Sequence, residues 1–481
     1  MKKKSLPRLN QALLAATLCH YASAAYAADA ELLDILLGNG AITQEQYDLL
    51  IARDSLSSDD LVVSRPVSAS SNVEVVDLDQ RIAAQVNEQI EADFPVLASQ
   101  TGSGFRLATR DGNFETSLQW RAQTRFTTPY RSDPRQISQF NAENQNNFEA
   151  RRLRMKIGGH GFKPWLEYYF EVDLQPSRDT DDSSANASAR VIDWRMDIAK
   201  WDWGGIRVGQ WKIDLNRERV DSSGRQQFVE RSIANRVFTI DRQVGMQVRG
   251  HIFKETPADM RFYAGVFNGE GRGVNNTDNN MMYMGRLQWN FTGRDLAWRQ
   301  TDVEYTDLPT GSFAIAGMTT TGSCTRWSSS GCGNLDGFEK PANAASDQYD
   351  IDQMVQEFAF KYRGFSAQQE YHRKVINDNV NGGEHELTGG YVQAGYFFHN
   401  IFPSFPEELE LAIRHAFVDE PNRVDLGLEN ERRETTLGAN WFFNGHNNKL
   451  TLDVSRLTLD DSFLSQDETD NRLRFQWDVS F

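Results

Sequence analysis

Beyond residue 27, the 481-residue chain contains no run of about twenty apolar residues, so it offers no transmembrane helix. Cysteine is nearly absent: Cys19 falls in the N-terminal segment, which leaves Cys324 and Cys332 within the Gly/Ser/Thr-rich stretch 317–337. That stretch holds no histidine, so a stapling disulfide is expected there rather than a metal pair. Its loop is short, and its contribution to global stability should be modest. The eight histidines are dispersed without metal-ligand spacing, and neither a metal nor a cofactor is expected. A nucleophile-elbow signature is missing too, which removes the usual sign of a hydrolase. Positive charge is in deficit: the chain carries −16 overall. A balance of that sign argues against nucleic acid as a partner.

What is present begins with a leader. Lys2, Lys3, Lys4 and Arg8 precede the apolar and small-residue stretch 12–26, and Ala25-Tyr26-Ala27 is a small-x-small cleavage site. Residues 1–27 read as a secretory signal peptide. Removing its four cations leaves a net charge of −20. Residues 28–104 then differ from the rest. Leu32, Leu33, Ile35, Leu36 and Leu37 and a second apolar group from Ile42 to Leu50 flank Gly38-Asn39-Gly40, a pattern for a short helical hairpin. After a polar linker, Leu78, Ile82, Val86 and Ile90 recur every four residues as a short amphipathic helix. The segment is expected to form a helical periplasmic extension.

Residues 105–481 alternate. Leu118, Trp120, Ala122, Thr124 and Phe126 share one strand face, with Gln119, Arg121, Gln123 and Arg125 on the other. The same rhythm places Leu166, Tyr168, Phe170 and Val172 against Glu167, Glu171 and Asp173, and Ile192, Trp194, Met196 and Ile198 against Asp193, Arg195 and Asp197. It continues to the terminal Leu473-Arg474-Phe475-Gln476-Trp477-Asp478-Val479-Ser480-Phe481. Strands with one greasy and one wet face suit a barrel closed in lipid, which escapes the usual meaning of a polar mean hydropathy. About 375 residues at roughly 20–25 per strand and loop imply an all-β transmembrane antiparallel barrel of 16 strands, with 18 the nearest competitor. A barrel of that size encloses water unless something folds into it.

Cations mark the inward positions. Leu153, Met155 and Ile157 turned to lipid send Arg152, Arg154 and Lys156 to the lumen, beside Arg121, Arg125, Arg195 and Arg207. Forked guanidiniums in a wet lumen attract small anionic solutes. Glu167, Glu171, Asp173, Asp193 and Asp197 point inward as well, so any single arginine is as readily a paired wall residue as a selective one. The segment 212–237 carries Lys212, Arg217, Arg219, Arg225, Arg231 and Arg236 with too little alternation for a strand. It is either an external loop or one folded inward to narrow the pore.

The ordered set Arg151-Arg152-Leu153-Arg154, Gly158-Gly159, Arg207-Val208-Gly209-Gln210-Trp211-Lys212, Asn235-Arg236, Arg242-Gln243-Val244-Gly245-Met246-Gln247 and Gly265-Val266-Phe267-Asn268-Gly269 resembles the phosphate-selective porin O and P family. The aromatic C-terminus resembles the signal by which outer-membrane barrels are recognised for insertion. The resemblance implies a homotrimeric, 16-stranded channel in the bacterial outer membrane, in contact with lipid and lipopolysaccharide. It also implies an arginine staircase leading to a narrow basic constriction, with phosphate or polyphosphate among the solutes. This chain is poorer in lysine near the constriction than phosphate-selective members. A general porin, or a sugar-selective one using Trp165, Tyr169 and Trp211 as an aromatic slide, stays open, with a barrel enzyme behind them.

Overall fold

The computed structural model describes residues 96–129, 146–174, 189–276, 278–329, 331–423, 428–461 and 466–481, together with Leu37, Gln44 and Tyr47. The leader, the helical hairpin and the amphipathic helix read in the sequence lie outside the described residues.

In chain order the elements are β1 (Val96–Thr101), β2 (Gly104–Thr109), β3 (Glu115–Thr128), β4 (Asn147–His160), β5 (Leu166–Asp173), β6 (Arg190–Trp201) and β7 (Gly204–Lys212). Two short helices follow, α1 (Arg217–Val220) and α2 (Ala234–Phe238), and then β8 (Arg242–Ile252), β9 (Met260–Phe267), β10 (Met282–Trp289) and β11 (Thr310–Gly322). A small hairpin, β12 (Arg326–Ser328) and β13 (Gly331–Gly333), precedes β14 (Tyr349–Tyr362), β15 (Phe365–Asp378), β16 (Glu384–Tyr396), β17 (Leu409–Arg423), β18 (Leu428–Asn444), β19 (Asn448–Asp461) and β20 (Gln466–Ser480).

Strands β3–β11 and β14–β20 form a closed antiparallel barrel of 16 strands. The seam is β20 against β3, with Ser480 opposite Arg121 and Leu473 opposite Thr128. Closure gives every edge N–H and C=O a partner, which an open sheet in hydrocarbon would lack. Below the seam β2 takes over from β20, pairing Phe105–Ala108 with Leu118–Glu115, while β1 pairs with β2. Regular β-structure therefore starts ahead of the boundary placed at residue 105.

Alternation sorts the side chains. Trp120, Trp194, Leu287, Ile315, Leu437, Phe475 and Trp477 are exposed on the outside, while Arg121, Gln123, Arg125, Arg474 and Asp478 are buried within. Two of the barrel's bulges shift residues named above. Between β3 and β4, Gln123 faces Arg152 and Thr124 faces Ala150, so Arg151 is the extra residue. Between β5 and β6 the extra residue is Ile192, which is buried, and Val191 is the exposed one. The uninterrupted alternation expected for β6 thus fails at its first turn, because a bulge costs one residue of period.

The lumen is not simply wet. Residues 213–241 fold into it and carry an apolar core with them: Ile213, Leu215, Ile233, Val237, Phe238 and Ile240 pack with Trp211 and with inward side chains of the wall such as Ile351, Val355, Ile376, Leu387 and Val418.

Candidate functional site

The inward loop 213–241 is fastened to the wall by carboxylates. Strand alternation on β14 and β15 turns Glu357 and Glu370 inward, both almost fully buried. The backbone N–H of Arg217 donates to Glu357 Oε1 at 2.9 Å, and that of Glu218 donates to Glu370 Oε1. These N–H groups open α1, where the helix leaves donors unpaired and its dipole favours negative charge. Glu357 also receives a two-point contact from Arg286, at 2.6 and 2.8 Å. At the other end of α1, Lys212 Nζ donates to the carbonyls of Arg219, Val220 and Asp221 at 2.9–3.2 Å. Arg231 donates to those of Glu218, Arg219 and Asp221. The Glu218 carboxylate closes the loop on itself, accepting from the N–H and hydroxyl of Ser232 at 2.7 and 2.9 Å.

The turn 222–230 reaches the far wall and the seam. Arg121, paired with Asp478 at 3.1 Å, donates to the hydroxyls of Ser222 and Ser223. The Gln227 amide donates to Glu410 at 2.7 Å and accepts from Gln393 at 3.0 Å, and the Val229 N–H donates to Asp453 at 2.9 Å. Gly395 and Gly438 leave sockets for this arm: a Cβ on either would stand within about 3 Å of Gln227 or Phe228. Glu230 gathers three cations, Arg151 at 2.6 Å, Arg125 at 2.9 Å and Arg152 at 3.2 Å.

Two further segments meet this loop. From the end of the barrel with short turns, residues 290–309 bring Gln300 onto Gln226 and Gln227. From the opposite end, residues 323–329 and 331–348 cover α2. There Cys324 and Cys332 are joined in a disulfide with Cα atoms 5.6 Å apart. The neighbouring Trp327 donates to the Gly269 carbonyl at 2.6 Å, and Lys374 donates to the carbonyls of Thr325 and Val237 at 3.0 and 2.7 Å. The disulfide closes a loop of sequence separation 8, worth about 2.5 kcal/mol in the chain-entropy picture. Replacing both cysteines by serine should therefore leave the barrel folded on a heat-modifiability gel while making single-channel currents noisier, as the cover over α2 loosens. Current traces identical to the parent's would refute this coupling.

The cations singled out in the sequence divide sharply. Arg154 pairs with Glu171 at 2.8 Å, Arg195 with Asp197 at 3.3 Å, and Arg207 with Asp197 at 2.6 Å. Arg219 binds Asp241, Arg217 donates to the Ala297 carbonyl, and Arg236 stands on α2. Lys156 and Arg225 differ: both are partly exposed, and neither side chain has a hydrogen bond or ion pair among the described residues. Of the three residues that would form an aromatic slide, Trp165 and Tyr169 are partly exposed and Trp211 is 1% exposed within the apolar core. Sequence reasoning missed Arg151, which only the bulge turns inward, and missed Arg286, Glu357, Glu370 and the segment 290–309. The buried lysines Lys361, Lys374 and Lys449 went unnoticed too; each donates to loop carbonyls.

Among solved structures, the chain superposes on in-vitro folded OmpT, an outer membrane protein of Vibrio cholerae, with a TM-score of 0.48 at 9% identity, covering 76% of this chain and 97% of that one. The outer membrane channel DcaP of Acinetobacter baumannii gives 0.48 at 11% identity, over 76% and 97% of the two chains. OmpF of Salmonella typhi, solved with daunomycin, gives 0.46 at 11% identity, over 80% and 100%. No curated protein matches the sequence. The sequence profile of phosphate-selective porin O and P matches residues 126–481, from near the end of the first barrel strand to the last residue. The chain belongs to the phosphate-selective porin O and P family, as a β-barrel channel of the bacterial outer membrane.

Proposed function

We propose that the channel passes small anions in preference to cations, phosphate or polyphosphate among them, and that Lys156 and Arg225 set the preference. The observation that carries this reading is that the side chains of these two cations alone, of the thirteen picked out in the sequence, have neither a hydrogen bond nor an ion pair among the described residues. A cation spent on a carboxylate adds little net potential, whereas an unpaired one in a narrow lumen acts over about 8 Å at physiological salt. The lumen carboxylates do not oppose this, since Glu357, Glu370 and Glu230 are consumed in holding the loop. The channel works as a homotrimer in contact with lipid and lipopolysaccharide, a reading supported by the family. Burial of Trp211 weighs against a sugar slide.

Purified protein in a planar bilayer across a potassium chloride gradient tests the reading. The reversal potential should report anion preference, and Lys156→Ala with Arg225→Ala should move it most of the way to zero. Cation preference in the parent channel would overturn it.

A further inference from the structure

The outer face of β17–β20 changes character from one row of side chains to the next. Strand register sets Ile413, Leu437, Val454 and Leu473 directly opposite one another on the four strands, and all four are exposed. The next outward row is polar. Arg456 of β19 stands between Thr435 of β18 and Asn471 of β20, and His415 of β17 lies opposite Thr435. These four are exposed too, and His415 Nδ1 is 2.9 Å from the Thr435 hydroxyl oxygen. Side chains directly opposite one another root about 5 Å apart, so the row is one continuous patch.

Its height matters. β19 starts at Asn448, beside the short turn, and reaches Arg456 eight residues later. That is about 27 Å along the strand at ~3.4 Å per residue, and roughly 20 Å along the membrane normal at a tilt of about 40°. The apolar band of such a barrel is about 25 Å tall, which puts Arg456 just inside its outer edge, where an uncompensated arginine is unfavourable. Arg373 on β15 and Arg433 on β18 also face outward, and each holds a carboxylate: Glu386 at 2.7 Å and Glu431. Arg456 has no hydrogen bond or ion pair among the described residues. Two rows above it, Asp419, Glu431, Asp460 and Asp467 face one another across the same strands. An anion is therefore drawn to the level of Arg456 and repelled above it.

We propose that this row binds a phosphate of lipid A, the acylated end of lipopolysaccharide, with acyl chains lying on the apolar row beneath. The guanidinium fork of Arg456 fits a phosphate, and the Thr435 hydroxyl and Asn471 amide add donors beside it. Charge above hydrocarbon is the profile of an anionic lipid, and the end of the barrel away from the short turns faces the outer leaflet. The inference rests on the lipopolysaccharide contact read above and deepens it by naming the face that makes it.

The test is native mass spectrometry of the full-length channel, stripped of lipid in detergent and titrated with bisphosphorylated lipid A. Arg456→Ala should weaken binding about tenfold, the scale of one charge-assisted contact, with heat-modifiable mobility retained. Arg456→Lys should recover part of the loss, and Arg433→Ala should cost less, because Arg433 already holds Glu431. Inorganic phosphate at the same concentration should not displace the lipid, since it lacks the acyl chains. Equal affinity in parent and Arg456→Ala would overturn the site and leave the lipopolysaccharide contact standing. So would a trimer lost in Arg456→Ala with lipid A binding intact, which would give the row to a neighbouring copy of the chain. A parent that binds lipid A no better than phosphatidylethanolamine would remove the contact itself.

Discussion

Replacing Glu357 and Glu370 together by alanine should release the inward loop and raise single-channel conductance severalfold. Both carboxylates are buried, and they accept the first two N–H groups of α1. Glu357 also neutralises Arg286, whose guanidinium additionally donates to the Leu215 carbonyl at 3.1 Å. Its loss strands a buried cation beside an uncapped helix start, and breaking such a pair costs about 3–5 kcal/mol. That cost falls on the loop, because the barrel's own ladders run from β3 to β20 without using either side chain. The Glu357→Gln, Glu370→Gln pair keeps an acceptor at each N–H and should open the channel less. Conductance equal to the parent's in the alanine pair, with heat-modifiable mobility retained, would refute the fastening of the loop by these two carboxylates.

That prediction concerns residues the sequence did not single out, and the reason is physical. Alternation told which wall side chains share a face, and in the structure Arg121, Arg125, Arg152 and Arg154 pair with Asp478, Glu230 and Glu171. Period two says nothing about what stands across the lumen. Glu357 and Glu370 belong to strands about 140–150 residues from α1, and only the path of the loop brings them together. Bulges are the second blind spot: Arg151 and Ile192 sit where one strand carries an extra residue, which no single-strand pattern announces. The third is the segment 290–309. It follows β10 at the end of the barrel where short turns are the rule, and Trp298-Arg299-Gln300-Thr301 carries no signal of folding inward. The sign of charge was legible, but the partners were not, so only the structure separates Lys156 and Arg225 from the paired arginines.

Glu230→Gln should strengthen anion preference more than any other single substitution of a loop carboxylate. The Glu230 carboxylate lies closest to Arg125, Arg151 and Arg152, and its removal leaves three guanidiniums facing a neutral amide, with Glu149, 3.7 and 4.0 Å from Arg125 and Arg151, left to offset them. Burial by itself would push the Glu230 carboxyl up; Arg151, Arg152 and Arg125 outweigh it and hold the group well below the usual carboxylate range. The sign follows from that direction. A carboxylate depressed in the folded state contributes its stabilisation above the unfolded value and loses it only as pH falls through the folded value. Acidifying the parent channel from neutral to about pH 4, near the ordinary glutamate value, should therefore leave this cluster ionised and should not mimic the substitution. The amide retains some hydrogen bonding to the arginines, so the arm 222–230 should stay docked through Gln227, Val229 and Ser223. Salt-gradient reversal potentials of parent and Glu230→Gln at the two pH values read both effects. A parent whose selectivity rises on acidification to the level of the variant would show that Glu230 already takes up its proton there, and that the three arginines do not hold it as the geometry requires.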